Sequence, residues 1–242
     1  MEELKLQAIV LGSLDYKEKD KIVTLFTLEQ GIIKAVLKGV KSEKAKLKFA
    51  KEPFCFLNVI LNKTGEFYTI INADLLDSFF DLTKDLKKYY VGFSLFEIVQ
   101  ASLMQNEPNP IVFVNLLKAL KLICYDDISS SLVLLKFILG MLKVLGYRFN
   151  FKTCSSCHMP YVNKRYLNLE TGSLICGSCI TPFCVLVPLS SFHLLELLYQ
   201  TEMERLNTVK ANEATIKEAL SLVFKNFETR TEKTLKTKKE VL

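Results

Sequence analysis

The sequence predicts an α+β multidomain protein, with a small five-stranded β-barrel at the N-terminus, a helical domain after it, and a four-cysteine ribbon inserted into the helical part. Three observations predict this. Apolar residues between Lys5 and Leu76 follow the short period of strands, and after Asp77 the period lengthens to about 3.6. Two Cys-x2-Cys pairs with 18 residues between them then interrupt the helical pattern.

Five strands are expected at Lys5–Leu14, Lys21–Leu28, Ile32–Val40, Phe54–Asn62 and Glu66–Asp74, all rich in Ile, Val, Phe and Thr. Glu29-Gln30-Gly31 and Asn62-Lys63-Thr64-Gly65 read as tight hairpin turns, because Gly accepts the positive φ such turns demand. Five short strands in so little chain suggest a barrel of the oligonucleotide-binding (OB) type, in which the long connection between the third and fourth strands lies at the binding face.

The first helix carries the apolar stripe Leu86, Tyr89, Tyr90, Phe93, Phe96 and Val99 or Leu103. Asn106-Glu-Pro108-Asn-Pro110 stops it and starts a second helix, about Ile111 to Tyr125, since Pro110 suits a first turn where its missing N–H is not needed. Ser129 to Ser131 supply N-cap residues for a third helix through Leu145, with Gly146 as C-cap. That helix is apolar nearly all round and is therefore expected to be central. Ser190 or Ser191 can cap a helix to about Tyr199, and Asn212 one to about Phe227. The expected division is an OB domain at 1–79, a helical domain at 80–147 and 185–242, and the ribbon at 148–184.

Cys154-Ser-Ser-Cys157 and Cys176-Gly-Ser-Cys179 have the spacing of a zinc ribbon. Zinc prefers four thiolates at the corners of a tetrahedron, and each knuckle offers two from a tight turn while a hairpin through Tyr166 to Gly172 brings the pairs together. Four protein ligands leave no position for a catalytic water, so one structural Zn²⁺ is expected at Cys154, Cys157, Cys176 and Cys179. Unrelated buried thiols or a redox pair fit less well, because two such pairs occur and neither follows a strand of a βαβ unit. His158 is redundant beside complete knuckles. His193 lies on an apolar helix pattern and is expected to pack there, and Cys55, Cys124 and Cys184 read as small core hydrophobes.

The chain carries a formal net charge of +6. All of it can be assigned to one segment, where Lys34, Lys38, Lys41, Lys44, Lys46, Lys48 and Lys51 face a single acid, Glu43. This concentration marks an anion-binding, DNA-contacting surface. A weaker basic cluster, Arg230 to Lys239, lies near the C-terminus. Phe49 and Tyr16 can each be read either as base-stacking residues or as anchors.

Other classes are excluded. Gly and Pro number only 9 and 6, against collagenous or low-complexity chains. The apolar run from Leu132 to Leu145 is broken by Lys136 and Lys143, well short of the roughly 18 residues of a membrane span. The acidic Met1-Glu-Glu start shows no signal peptide, so a cytoplasmic address is expected, where seven cysteines do not form a disulfide framework. No metalloprotease, deaminase, nucleotide-binding or hydrolase motif occurs, so no enzyme is expected. Asp126-Asp127 reads as acids placed before a helix N-terminus rather than as a catalytic pair.

These features together resemble the bacterial recombination mediator family RecO. The resemblance is carried by Ala8-Ile-Val-Leu11, Asp15-Tyr-Lys-Glu-Lys-Asp20, Thr24-Leu-Phe-Thr27, Gly31, Lys38-Gly39 and Glu52-Pro-Phe54, and then by the helical region, the cysteine ribbon, Val187-Pro-Leu-Ser190 and Lys233 to Leu242. It covers essentially the whole chain. The N-terminal string is fairly specific in combination, whereas the ribbon alone occurs in many unrelated proteins. The resemblance implies a nucleoid-associated DNA repair protein that binds single- and double-stranded DNA and anneals complementary strands. With RecR as co-mediator, it implies loading of RecA onto strands coated by single-stranded DNA-binding protein (SSB), whose acidic, aromatic-ended C-terminal tail the helical domain would capture. One departure is the absence of arginine between Met1 and Phe137, which implies point-charge rather than forked phosphate contacts. The alternative reading is a zinc-stabilised protein-interaction adaptor with only incidental DNA binding.

Overall fold

The computed structural model describes residues 2–65 and 67–242, without the side chain of residue 2. The first five strands are β1 (Glu2–Tyr16), β2 (Asp20–Thr27), β3 (Gly31–Leu37), β4 (Phe56–Thr64) and β5 (Phe67–Asp77). They close into a barrel in the order β1-β2-β3-β5-β4. All neighbours are antiparallel except β3 and β5, which meet in parallel at Ala35 with Tyr68 and Val36 with Thr69. Alternate residues point inward, so Leu6, Ala8 and Val10 meet Val23, Leu25, Ile33, Leu57, Val59 and Ile70 in one apolar interior. The register shifts between Val10 and Gly12, a bulge that lets the long β1 bend and pair with both β2 and β4.

Several strand ends differ from expectation, each for a local reason. Phe54 has φ +74, which no strand residue adopts; it is fully buried, its N–H donates to Val10 O at 3.0 Å, and β4 begins only at Phe56. Gly39 has φ +64 and donates its N–H to Asp20 Oδ1 at 2.8 Å, so the chain turns and β3 ends at Leu37 rather than Val40. The expected start of the fifth strand, Glu66, lies outside the described residues.

The helices are α1 (Leu86–Ser102), α2 (Pro110–Tyr125), α3 (Ser130–Val144), α4 (Leu189–Gln200), α5 (Glu213–Thr231) and a final turn α6 (Lys238–Val241). Between α3 and α4 stand three short strands, β6 (Arg165–Asn168), β7 (Ser173–Cys176) and β8 (Cys184–Val187), paired in the order β7-β6-β8. No helix among the described residues is long and apolar enough to cross a membrane.

The chain divides into two compact units. One holds residues up to Leu86 together with Leu103–Cys124, and the other holds Lys87–Ser102 and Tyr125–Leu242. In the first unit α2 belongs with the barrel: the Phe113 ring lies 5.4 Å from Phe26 and 6.2 Å from Phe56, and Asn106 N–H donates to Ile32 O at 3.0 Å. In the second, α3 is buried on nearly every side and packs against α4 and α5. Glu97 of α1 accepts the backbone N–H groups of Lys236 (3.2 Å) and Thr237 (2.9 Å), fastening the C-terminal segment.

One expected cap holds its position and another is corrected. Ser129 is the N-cap residue of α3, but its hydroxyl donates to Glu213 Oε1 at 3.1 Å and caps no helix N–H; α4 starts after Pro188, leaving Ser191 buried with its hydroxyl on Glu218 Oε2 at 2.6 Å. Asn212 does cap α5, accepting the Thr215 N–H at 2.7 Å.

Candidate functional site

Two groups of residues carry chemistry. The first is formed by the ribbon. Cys154 and Cys157 lie on a tight turn in which His158 N–H donates to Cys154 O at 2.9 Å, and His158 itself takes a left-handed conformation, φ +62. Cys176 ends β7 and Cys179 closes the short 3-10 turn after it. The hairpin of β6 and β7 is set by Asn168, whose Oδ1 accepts the N–H groups of Glu170 (2.8 Å) and Thr171 (3.1 Å). The knuckles thus come together, and all four sulfurs lie within 4.8 Å of one another. Cys157 Sγ and Cys176 Sγ are 3.7 Å apart, close to the edge of about 3.8 Å of a tetrahedron with metal–sulfur bonds of about 2.3 Å.

The surroundings favour thiolate at Cys154. Burial raises the Cys154 thiol, but N–H groups of Cys157, Cys176 and Ser156 outweigh it and bring it down to about 6; the last two lie 3.3 and 3.4 Å from its sulfur. The Ser156 hydroxyl pulls Cys179 down, yet Cys157, burial, Cys176 and Cys154 together push it up to about 11. Four sulfurs so close cannot all shed their protons unaided, and a divalent cation among them removes that conflict. The set can therefore hold a metal ion. His158 is exposed and outside it.

The other residues singled out by the sequence fall elsewhere. Cys55 and Cys124 are buried as expected, and burial, with Glu52 and Asp77, pushes the Cys55 thiol up to about 11. Cys184 is only half-buried, its sulfur accepting the Thr181 N–H at 3.2 Å. His193 does not pack on an apolar face: it points outward, 3.8 Å from Glu196, because α4 turns Phe192, Leu194, Leu195 and Leu198 inward instead. Asp126 and Asp127 are exposed in the turn before α3.

The second group is the connection from β3 to β4. Val40, Ala50 and Cys55 are buried in the barrel core, and Leu47 and Phe49 pack against it. Phe49 thus serves as an anchor. With the apolar residues turned inward, Lys38, Lys44, Lys46 and Lys48 are left exposed, as is Lys34 on β3, while the side chains of Lys41 and Lys51 are partly covered. Lys51 lies 3.3 Å from Glu52, Lys41 3.3 Å from Asp15, and Lys48 donates to Glu43 O at 2.6 Å. Among the described residues, Lys34, Lys38, Lys44 and Lys46 have no carboxylate partner.

The basic surface extends to residues that a charge count along the chain misses. Lys41 N–H donates to Lys19 O at 3.2 Å and Lys41 Nζ to Lys17 O at 3.3 Å, so the turn from β1 to β2 lies beside the start of the connection. Lys17, Lys19 and Lys21 join the surface there, and the Lys17 ammonium lies 5.2 Å from the centre of the Tyr16 ring. The alternation of Asp15-Tyr-Lys-Glu-Lys-Asp-Lys21 hides these lysines in a locally neutral string. Near the C-terminus two of the cations are engaged internally: Arg230 reaches Glu170 O at 2.7 Å, and Lys238 pairs with Glu228 at 2.5 Å, whereas Lys233, Lys236 and Lys239 are exposed.

Two family models match. Residues 1–79 match the N-terminal part of recombination protein O and residues 83–239 its C-terminal part. The chain is 29% identical to a DNA repair protein RecO of Desulforamulus reducens over 98% of its own length and 93% of that protein. It is 30% identical to one of Caldanaerobacter subterraneus, covering 74% and 72%, and 27% identical to one of Clostridium novyi, covering 86% and 81%. With both halves matched in order and the barrel and cysteine cluster in place, the chain belongs to the recombination protein O family.

Proposed function

We propose that this protein is a DNA-binding recombination mediator in DNA repair, acting without turnover chemistry. The observation that carries this reading is the anchored connection at Lys34 to Lys51, which holds Lys34, Lys38, Lys44 and Lys46 outward, with no carboxylate partner among the described residues, on an OB-like barrel. Lysines held this way neutralise phosphates in any sequence, on single- or double-stranded DNA. Annealing needs a surface that lowers repulsion between two phosphate backbones without trapping either, and ammonium groups on flexible stems suit it. Together with RecR, the protein helps load RecA onto SSB-coated single strands, and its helical domain captures the SSB C-terminal tail. It works in the bacterial cytoplasm, at the nucleoid.

The cysteine cluster holds one Zn²⁺ through Cys154, Cys157, Cys176 and Cys179. Four thiolates complete the coordination, so the ion folds the ribbon and takes no part in DNA chemistry. The direct experiment is annealing of complementary SSB-coated strands with and without RecR. Acceleration that depends on this protein and increases with RecR supports the reading; no acceleration, together with no retention on polynucleotide beads at low salt, leaves the adaptor reading.

A further inference from the structure

We propose that Asp15 is a built-in competitor for nucleic-acid phosphate: its carboxylate occupies an anion seat formed by Lys21 and Lys41, which a phosphate takes over on binding. This deepens the DNA-binding reading above and rests on it.

The geometry is that of an anion held between two cations from different elements. Asp15 and Lys21 face each other across β1 and β2 in register. Lys21 Nζ lies 2.9 Å from one carboxylate oxygen of Asp15 and Lys41 Nζ 3.3 Å from the other. Lys41 is fixed in place by its N–H on Lys19 O and its ammonium on Lys17 O, and Gly39 N–H on Asp20 Oδ1 ties the same two segments together. The seat is therefore built by the backbone and not by Asp15 alone. Asp15 itself is open to solvent, with its side chain 70% exposed, whereas the side chains of Lys21 and Lys41 are only 20% and 28% exposed. An incoming anion can thus displace the carboxylate without unfolding anything.

A phosphate diester matches what Asp15 provides: a single negative charge with two free oxygens, one for each ammonium. Lysine pairs in water are weak and exchange readily, so the exchange costs little. In the free protein the trio carries +1 rather than +2, which holds back attraction for polyanions. The carboxyl group is held below its ordinary range by the hydrogen bonds from Lys21 and Lys41, so it remains charged, and the competition persists, at neutral pH.

The test compares the full-length parent, Asp15→Asn and Glu18→Gln for binding to labelled oligothymidylate over a salt gradient. Glu18→Gln removes the same charge from the adjoining turn but frees no lysine. We expect Asp15→Asn to bind roughly fivefold more tightly at low salt, with a slope of log affinity against log salt steeper by about 1. Glu18→Gln should change affinity less than about twofold, and Asp15→Asn combined with Lys21→Ala and Lys41→Ala should lose the gain. Unaltered or weaker binding by Asp15→Asn, or an equal gain from Glu18→Gln, overturns the proposal while leaving DNA binding by the parent intact. No binding by any of the proteins overturns the DNA-binding reading and this proposal with it. Thermal unfolding of each variant checks that the fold is kept.

Discussion

Gly31 shows how a single atom can be excluded. It opens β3 with φ +69, and a Cβ there would lie 2.1 Å from the carbonyl oxygen of Glu107. Gly31→Ala should therefore destabilise the barrel unit by about 3 kcal/mol or more, combining a left-handed non-glycine residue with a backbone clash. Urea unfolding measures this, and a midpoint like the parent's would contradict the packing described. Asp15 gives a dependence on pH. Its folded value is lowered from 3.8, so any stability from its pairing is present above the ordinary carboxylate range and is lost as pH falls through the folded value. Parent and Asp15→Asn should accordingly converge in stability in strong acid and differ, if modestly, near neutrality.

The ribbon and the lysine-bearing connection show what can be read from sequence at the level of elements. The cysteine spacing is sufficient to bring four sulfurs together, because two short knuckles and a Gly-ended hairpin leave few other arrangements. The lysine segment is legible as charge but not as shape. Its anchoring by Val40, Leu47, Phe49 and Ala50 depends on which residues turn inward along an irregular path, and no fixed period records that. The strand ends at Phe54 and Gly39, the bond made by the Ser129 hydroxyl and the role of Ser191 depart from local preference because tertiary hydrogen bonds override it. For the ribbon, elemental analysis should find one zinc per chain. Cys176→Ser should lose it and destabilise its unit by about 3 kcal/mol or more. A metal-free parent, or a variant as heat-resistant as the parent, would contradict the assignment.

Across the whole molecule, charge rather than shape separates the proposed roles. On the barrel the positive charge is gathered in one segment, Lys34 to Lys51, where Lys34, Lys38, Lys44 and Lys46 stand without carboxylate partners among the described residues, while the C-terminal Arg230 and Lys238 are held by internal partners. The central claim is that the barrel's lysine surface provides the sequence-independent affinity for DNA. Its most direct test is the salt dependence of oligothymidylate binding by the parent and by a Lys38→Ala, Lys44→Ala, Lys46→Ala variant. If about five lysines meet phosphates of one strand, log affinity should fall against log salt with a slope of roughly −3.5, and the triple variant should flatten it by about 2. An unchanged slope in the triple variant would contradict the account.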